Sequence, residues 1–361
     1  MERGSRNPYT LIFGKEPKQL ISRSSGINDI IYQFDEEEPS QQIYMITGVR
    51  GCGKTVFMTS LAQQMRQRKD WIVLELNPEQ DLLEGLAAKL SGENMLAKLF
   101  KAAKINLSVL GFGVEIEGVA PVRDVESAVG KMLEAIKKQK KRVLVTIDEA
   151  TNSKSMRLFA SAFQIYIRQE LPIFLVMTGL YENINALQNE KQLTFLYRAP
   201  KMELKPLNIK TIADNYKNNF GLDDAKALRM AKLTRGYSFA FQVLGYYTWE
   251  NNGIMEDAKD QFRQYLEDYA YEKIWFGLSK GDQRICYAIA KSGTGKVADV
   301  RNIIGITTNE FNPYRKRLIK CGIINGETHG YVNFILPLFE EYVLDNYDEE
   351  QEDANGGDNP D

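Results

Sequence analysis

Two hydrophobic periods alternate along the first 207 residues. Apolar runs of strand type occur at "QIYMIT" (42–47), "WIVLELN" (71–77), "RVLVTIDE" (142–149), "IFLVMTG" (173–179) and "KMELKPL" (201–207). Between them, apolar positions recur at helical spacing. "TVFMTSLAQQMRQR" places Val56, Phe57, Leu61 and Met65 on one face. "SAVGKMLEAIKKQKK" does so with Ala128, Met132, Leu133 and Ile136, and "SMRLFASAFQIYIRQEL" with Leu158, Phe159, Ala162, Phe163 and Ile167. Strand alternating with helix predicts an α/β fold, a parallel sheet with helices on both faces. "INLSVLGFGVEIEGVA" (105–120) interrupts the rhythm and reads as a hairpin around Gly111 and Gly113.

After residue 207 the strand pattern stops, with Pro206 and Asn208 at the boundary. Segments around 209–220, 223–234, 238–251 and 256–276 read as an all-helical domain. From Leu278 the order becomes helix ("KGDQRICYAIAKSG"), helix ("KVADVRNIIG"), helix ("TTNEFNPYRKRLIKCG", with Phe311, Leu318 and Ile319 inward), then two strands around "GETHG". That is the order of a winged helix-turn-helix. The expected division is 1–207, 208–276, 277–340 and an acidic tail at 341–361.

Charge sharpens this division. The net charge of −2 hides ten acidic and no basic residues from Glu340 onward, which leaves 46 basic against 38 acidic residues elsewhere. The last stretch, "DNYDEEQEDANGGDNPD", therefore reads as a solvated disordered tail. No apolar run approaches the twenty residues of a spanning helix. The start, "MERGSRNPYT", lacks the apolar core of a secretion signal. Cys52, Cys286 and Cys321 lie far apart, with neither metal spacing nor a disulfide pattern. A reducing cytoplasm is the expected location.

The candidate chemistry begins at "GVRGCGKT" (48–55). Gly48, Gly51, Gly53, Lys54 and Thr55 fit G-x-x-x-x-G-K-[ST], following a strand and opening a helix. Glycines let the backbone aim its N–H groups at phosphate oxygens. Lys54 would reach the outer phosphates and Thr55 would offer a hydroxyl to Mg²⁺. Gly48, Val49, Arg50, Gly51, Cys52, Gly53, Lys54, Thr55 and Val56 together form the expected phosphate cradle.

"VLVTIDEA" ends an apolar strand on Asp148 and Glu149, where charge is costly without a role. Asp148 suits the Mg²⁺ shell, and Glu149 suits a general base for the attacking water. Thr178 ends the next strand and could read the γ-phosphate or orient water; a turn former is its plainer role. Arg198, in "TFLYRAP", is either an arginine finger toward a neighbouring subunit or a surface residue. "GTGK" (293–296) is not a second loop, because Ala290 stands at the first glycine and Val297 replaces Ser/Thr. "KKQKKR" (137–142) ends a helix, where cations are favoured.

The third helix of the last domain clusters Arg315, Lys316, Arg317 and Lys320, with Asn309, Asn312 and Tyr314 near its start. Residues 279–339 hold nine basic and four acidic side chains. Such residues contact phosphates and base edges of duplex DNA, although winged helices also dock proteins. His329, the single histidine, sits in the wing's turn.

Taken together, these residues resemble the AAA+ class of P-loop ATPases, and more narrowly the bacterial and archaeal ATPases related to origin-recognition replication initiators. The resemblance spans roughly residues 5–340. It is carried by "NPYTLIFGKEPKQLISR", the P-loop, "LVTIDE", "TGL", "FLYRAP", "TRGYSFAFQVLG" and "YRKRLIKCGII". It implies ATP and Mg²⁺ as ligands, a core whose P-loop strand is central, a helical lid and a winged helix. It also implies adenine contacts from the N-terminal segment, here Pro8, Tyr9 and Arg23.

The sequence departs from that pattern in the lid. Phe239 occupies the place of an arginine that many initiators direct at the γ-phosphate, while Arg235 precedes the glycine. The stretch also resembles the signalling (STAND) ATPases, with Ser238 where their "GxP" proline would stand. The expectation is a slowly hydrolysing, ATP-dependent, DNA-binding switch. The rivals are a STAND-type signalling or defence switch and a nucleotide-dependent scaffold with a stable protein partner. A homo-oligomer is compatible with each.

Overall fold

The computed structural model describes residues 6–12, 17–111 and 121–348. The chain divides into two compact units. One holds residues 22–48 and 54–204. The other holds 1–21, 49–53 and 205–361 within the described range.

The first unit runs α1 (Ser24–Asp35), β1 (Ile43–Thr47), α2 (Lys54–Arg66), β2 (Trp71–Leu76), α3 (Leu82–Gly92), α4 (Asn94–Ala102), α5 (Val125–Lys138), β3 (Arg142–Ile147), α6 (Lys154–Arg168), β4 (Ile173–Gly179), α7 (Tyr181–Gln188) and β5 (Lys201–Glu203). The five strands form one parallel sheet in the order β2-β3-β4-β1-β5. Every β4 residue is buried, as a parallel strand covered on both faces requires. β5, with Lys201 and Glu203 exposed, is an edge. The P-loop strand β1 is interior but one place from the centre, which β4 holds, so the expectation of a central P-loop strand is corrected.

Helix starts follow local chemistry. Asp81, Asp124 and Ser153 accept hydrogen bonds from the amides of Glu84, Ser127 and Met156 at the starts of α3, α5 and α6. Leu158 proves exposed, while Met156, Phe159 and Phe163 carry the buried face of α6. The described start of the expected hairpin is not a strand. Residues Ser108–Leu110 form a 3₁₀ turn that closes on Gly111 in the left-handed region, and 112–120 lie outside the described residues.

The second unit is mostly helical. It contains α8 (Ile209–Phe220), α9 (Asp224–Leu233), α10 (Ser238–Glu250), α11 (Met255–Leu266), a π-helical turn (Glu267–Tyr271), α12 (Glu272–Phe276), α13 (Lys280–Ser292), α14 (Val297–Ile304), α15 (Thr308–Lys320), the antiparallel pair β6 (Ile324–Asn325) and β7 (Asn333–Phe334), and α16 (Phe339–Asn346). Thr307 and Glu310 close a reciprocal capping box on α15. Gly221, Gly293 and Gly305 end α8, α13 and α14 in the left-handed conformation. The expected start of a tail at 341 is corrected, because α16 continues to Asn346 with Phe339, Tyr342 and Val343 buried. Residues 349–361 lie outside the described range.

Three of the candidate DNA contacts turn inward in this unit. Arg317 forks onto Asp282, with Nε 2.9 and 3.0 Å from its two oxygens and Nη2 2.6 Å from Oδ1. The Asp282 side chain is only 5% exposed. This pairing holds the Arg317 guanidinium above its ordinary pKa. Arg317 also lies over the Tyr314 ring, which covers Gly281. Arg315 donates to the Gly326 carbonyl at 3.2 Å. Arg317→Ala strands a buried carboxylate. Breaking such a pair costs about 3–5 kcal/mol in full burial, so for this half-exposed arginine we expect roughly 1–3 kcal/mol in urea denaturation. Lys316→Ala, at an exposed position, should stay within about 0.5 kcal/mol. Equal losses would remove the structural role assigned to Arg317.

Candidate nucleotide site

Parallel pairing brings three strand ends together in the first unit. Ile46 and Thr47 of β1 pair with Thr178 and Gly179 of β4, and Ile147 of β3 pairs with Met177. Thr178 is thus level with Asp148, the residue after β3. The Thr55 hydroxyl donates to Asp148 Oδ2 at 2.7 Å, and the Thr178 hydroxyl donates to Asp148 Oδ1. Lys54 Nζ donates to the Gly48 carbonyl at 2.9 Å. Thr55, Asp148 and Thr178 thus meet at the strand ends, while Lys54 bonds within its own loop.

Glu149 follows in a left-handed backbone conformation, φ 53°. Its N–H is 3.1 Å from Asp148 Oδ1 and 3.3 Å from Thr178 Oγ1, and the Ala150 amide donates to the Thr178 carbonyl at 2.8 Å. A non-glycine residue held there costs about 1–3 kcal/mol. Its carboxylate remains exposed. The strand end therefore turns sharply, buries Thr178 and presents Glu149 outward.

The donor set suits Mg²⁺. A threonine hydroxyl and a carboxylate are hard oxygen ligands, and Mg²⁺ is commonly held by one or two carboxylates, phosphate oxygens and water. Thr55 and Asp148 would hold it, and it would neutralise phosphate charge. Among the described residues no group of three or more His, Cys, Asp or Glu forms a metal cluster.

The middle of the loop, Val49–Gly53, belongs to the second unit. There the start of α10 grips three consecutive carbonyls. Tyr237 Oη donates to Arg50 O at 2.7 Å, the Phe239 amide to Gly51 O at 3.1 Å, and Ser238 Oγ to Cys52 O at 2.9 Å. Gly51 has φ 77°, and a Cβ there would overlap the Tyr237 hydroxyl. Burial pushes the Tyr237 hydroxyl pKa far above its usual range, so it stays a neutral donor. Gly322, which follows α15, faces Val49. Tyr237, Ser238 as a loop partner, and Gly322 were missed in the sequence. The one available signal was the glycine-led lid motif, which drew attention to Arg235 and Phe239 instead.

The remaining candidates are placed as follows. Tyr9 is a core residue, stacked on Phe220 at 5.7 Å and edge-on to Phe241, with its hydroxyl donated to Asn215 at 2.8 Å. A Cβ at Gly245 would overlap its ring. Tyr9 was expected to stack on or pack beside adenine; in this structure its ring is buried among Tyr216, Phe220 and Phe241. Pro8, beside it, is half-buried. Arg23 precedes α1 in the other unit. Val56 lies in the first turn of α2. Arg198 is exposed at the end of a 3₁₀ turn, Thr194–Arg198. On α15, Asn309, Asn312, Lys316 and Lys320 are exposed.

Known proteins share this architecture. Residues 21–188 match a family model described as an ATPase domain predominantly from Archaea. That segment, a little under half of the chain, is similar to those archaeal ATPases, and the whole chain shares the fold of P-loop ATPases with a parallel sheet. A second model, a domain of unknown function, matches residues 268–343. Among solved structures, a Walker-type ATPase of Pyrococcus abyssi superposes with TM-score 0.60 at 16% identity, covering 90% of this chain and 96% of that one. The ORC2 protein of Aeropyrum pernix, solved in ADPNP and ADP complexes, gives TM-score 0.57 at 12% identity, covering 92% and 95%. No curated protein matches this chain. No helix among the described residues is long and apolar enough to cross a membrane.

Thr178→Val keeps the shape but removes the hydroxyl that serves Asp148 and Glu149. We expect the protein to lose about 1–3 kcal/mol in urea denaturation, the cost of buried polar partners left unmatched. An unchanged midpoint would mean that the three strand ends are not held through Thr178.

Proposed function

We propose that this AAA+ protein binds ATP with Mg²⁺, hydrolyses it slowly, and uses the bound state to set how its winged module engages duplex DNA. The observation that carries the reading is the meeting of Thr55, Asp148 and Thr178 at adjacent strand ends. On this reading Lys54 binds the outer phosphates, Thr55 and Asp148 hold Mg²⁺, and Glu149 activates water. Thr178 keeps Asp148 in place, and Arg198 serves a neighbouring subunit. Slow turnover is supported by the lid. Phe239 replaces an arginine, and the Arg235 guanidinium is engaged by Glu340 and two carbonyls. DNA contact is supported by the capped, exposed start of α15 and by Lys316 and Lys320.

The test is binding to a labelled random-sequence duplex with ATP–Mg²⁺, with ADP and without nucleotide, at two salt concentrations. Binding that depends on nucleotide and weakens with salt is expected, because phosphate contacts release counterions. No binding in any state would refute the DNA assignment.

Lys54→Ala should abolish nucleotide binding. Glu149→Gln should keep ATP affinity while slowing hydrolysis roughly 100-fold or more, the usual share of a general base. Wild-type turnover in Glu149→Gln would end that assignment.

One observation favours a second reading, a signalling switch in which the winged module docks as a restraint: Gly322 faces Val49 of the nucleotide loop. That reading requires ADP retained through purification and no affinity for DNA.

A further inference from the structure

The lid segment Thr234–Phe239 has two occupied ends within the helical unit. At one end Tyr237, Ser238 and Phe239 hold the carbonyls of Arg50, Cys52 and Gly51. At the other, Arg235 reaches the winged module. Its Nη1 donates to the carbonyls of Phe334 at 3.2 Å and Leu336 at 3.0 Å, and its guanidinium pairs with both Glu340 oxygens. These partners lie on β7 (Phe334), in the connection that follows it (Leu336) and at the start of α16 (Glu340).

The segment between the two ends is fixed. The Leu207 amide donates to Gly236 O at 2.7 Å, the Gly236 amide to Thr234 Oγ1 at 3.2 Å, and the Tyr237 amide to Thr234 O at 2.8 Å. Gly236 has φ 77°, and a Cβ there would come within 2.5 Å of the Leu207 carbonyl. Arg235 itself is left-handed, φ 49°. A non-glycine residue persists in that conformation when its surroundings over-determine it. Here the surroundings are the two sets of contacts.

We propose that Arg235–Phe239 is a coupling strap, in which Tyr237 and Ser238 are positioning residues for the phosphate loop and the Arg235–Glu340 pair transmits their state to the winged module. A phosphate-binding loop uses its N–H groups on the ligand, so its carbonyls need partners elsewhere. The strap supplies those partners, and the loop keeps its ligand-ready shape only while the strap is seated. Arg235 and Glu340 help to seat it without touching the loop. By linkage, nucleotide that orders the loop must tighten the Arg235–Glu340 end, and loss of that end must weaken nucleotide binding by the same factor.

This inference rests on the proposed ATP binding, and the test separates the two. A fluorescent ATP analogue is titrated into the full chain, wild type and variants. Glu340→Gln keeps size and removes the charge. Tyr237→Phe removes only the hydroxyl at the loop. Both should weaken binding roughly 5-fold or more, the lower range of allosteric couplings. ATP should also protect the amides of 324–336 from hydrogen exchange in wild type and fail to do so in Glu340→Gln, a readout that a purely local packing role would not move. Arg235→Lys, which keeps the charge but loses the fork, gives the same answer if Glu340→Gln does not fold. A wild type that binds no nucleotide overturns the ATP reading itself. A wild type that binds, with Glu340→Gln bound equally or more tightly, overturns the coupling alone, whatever Tyr237→Phe does.

Discussion

A peptide loop that offers its N–H groups to phosphate must do something with its carbonyls. In this protein the acceptors at Arg50, Gly51 and Cys52 are met by three consecutive residues, Tyr237, Phe239 and Ser238. Much else follows from this constraint. Gly51 must lack a side chain because the Tyr237 hydroxyl occupies its space. α10 must begin at the loop, since its first turn supplies the donors. Gly236 must be left-handed so that the chain can turn into α10 beneath Leu207. Phe239 donates its amide to the loop and packs its ring near Tyr265.

Much of the sheet-bearing unit was legible because its signals are local. An apolar run of five to seven residues with no charge, such as "IFLVMTG", has few alternatives to a buried parallel strand. The glycine loop names its own chemistry, and the carboxylates of Asp148 and Glu149 stand out because an apolar strand does not end in charge without a partner. The sequence was less informative where pairing decides. β1 lies beside β5 rather than at the sheet centre, a matter of long-range register that no window of residues encodes. α3, α4 and α7 were not read from the apolar spacing. α3 shows its start only in the Asp81 cap and its face only in small and aliphatic residues.

The winged module shows how charge counts mislead. A surplus of basic side chains between 279 and 339 suggests a nucleic-acid surface, yet Arg317 neutralises the one buried carboxylate nearby and Arg315 caps a wing carbonyl. Arginine suits this work because its planar fork satisfies several acceptors at once. Lysines lack that geometry and stay at the surface, as Lys316 and Lys320 do. The exposed charge on α15 is therefore carried mainly by lysine, beside the neutral amides of Asn309 and Asn312 near its start. A similar logic buries Tyr9: an aromatic ring in a polar turn finds a hydrophobic home, here against Phe220 and Phe241.

Magnitudes bear on the proposed switch. Each neutral hydrogen bond of the strap contributes about 0.5–1.5 kcal/mol net, so the three at the loop are worth roughly 2–4 kcal/mol. The Arg235–Glu340 pair is about one-third exposed on each side, which keeps its contribution near 1 kcal/mol. The sum, roughly 3–5 kcal/mol, is a ceiling on what the strap can transmit; it lies above the 1–3 kcal/mol of ordinary allosteric couplings and below the 5.5 kcal/mol needed to swing a two-state equilibrium from 1:99 to 99:1. Nucleotide acting through such a strap biases the winged module and does not lock it. On the proposed reading, an uncharged Phe239 leaves a developing γ-phosphate without a lid cation, which supports slow turnover and a bias that persists. A weak, durable bias suits a protein that reports nucleotide state to a partner, because the partner's own binding energy must complete the transition.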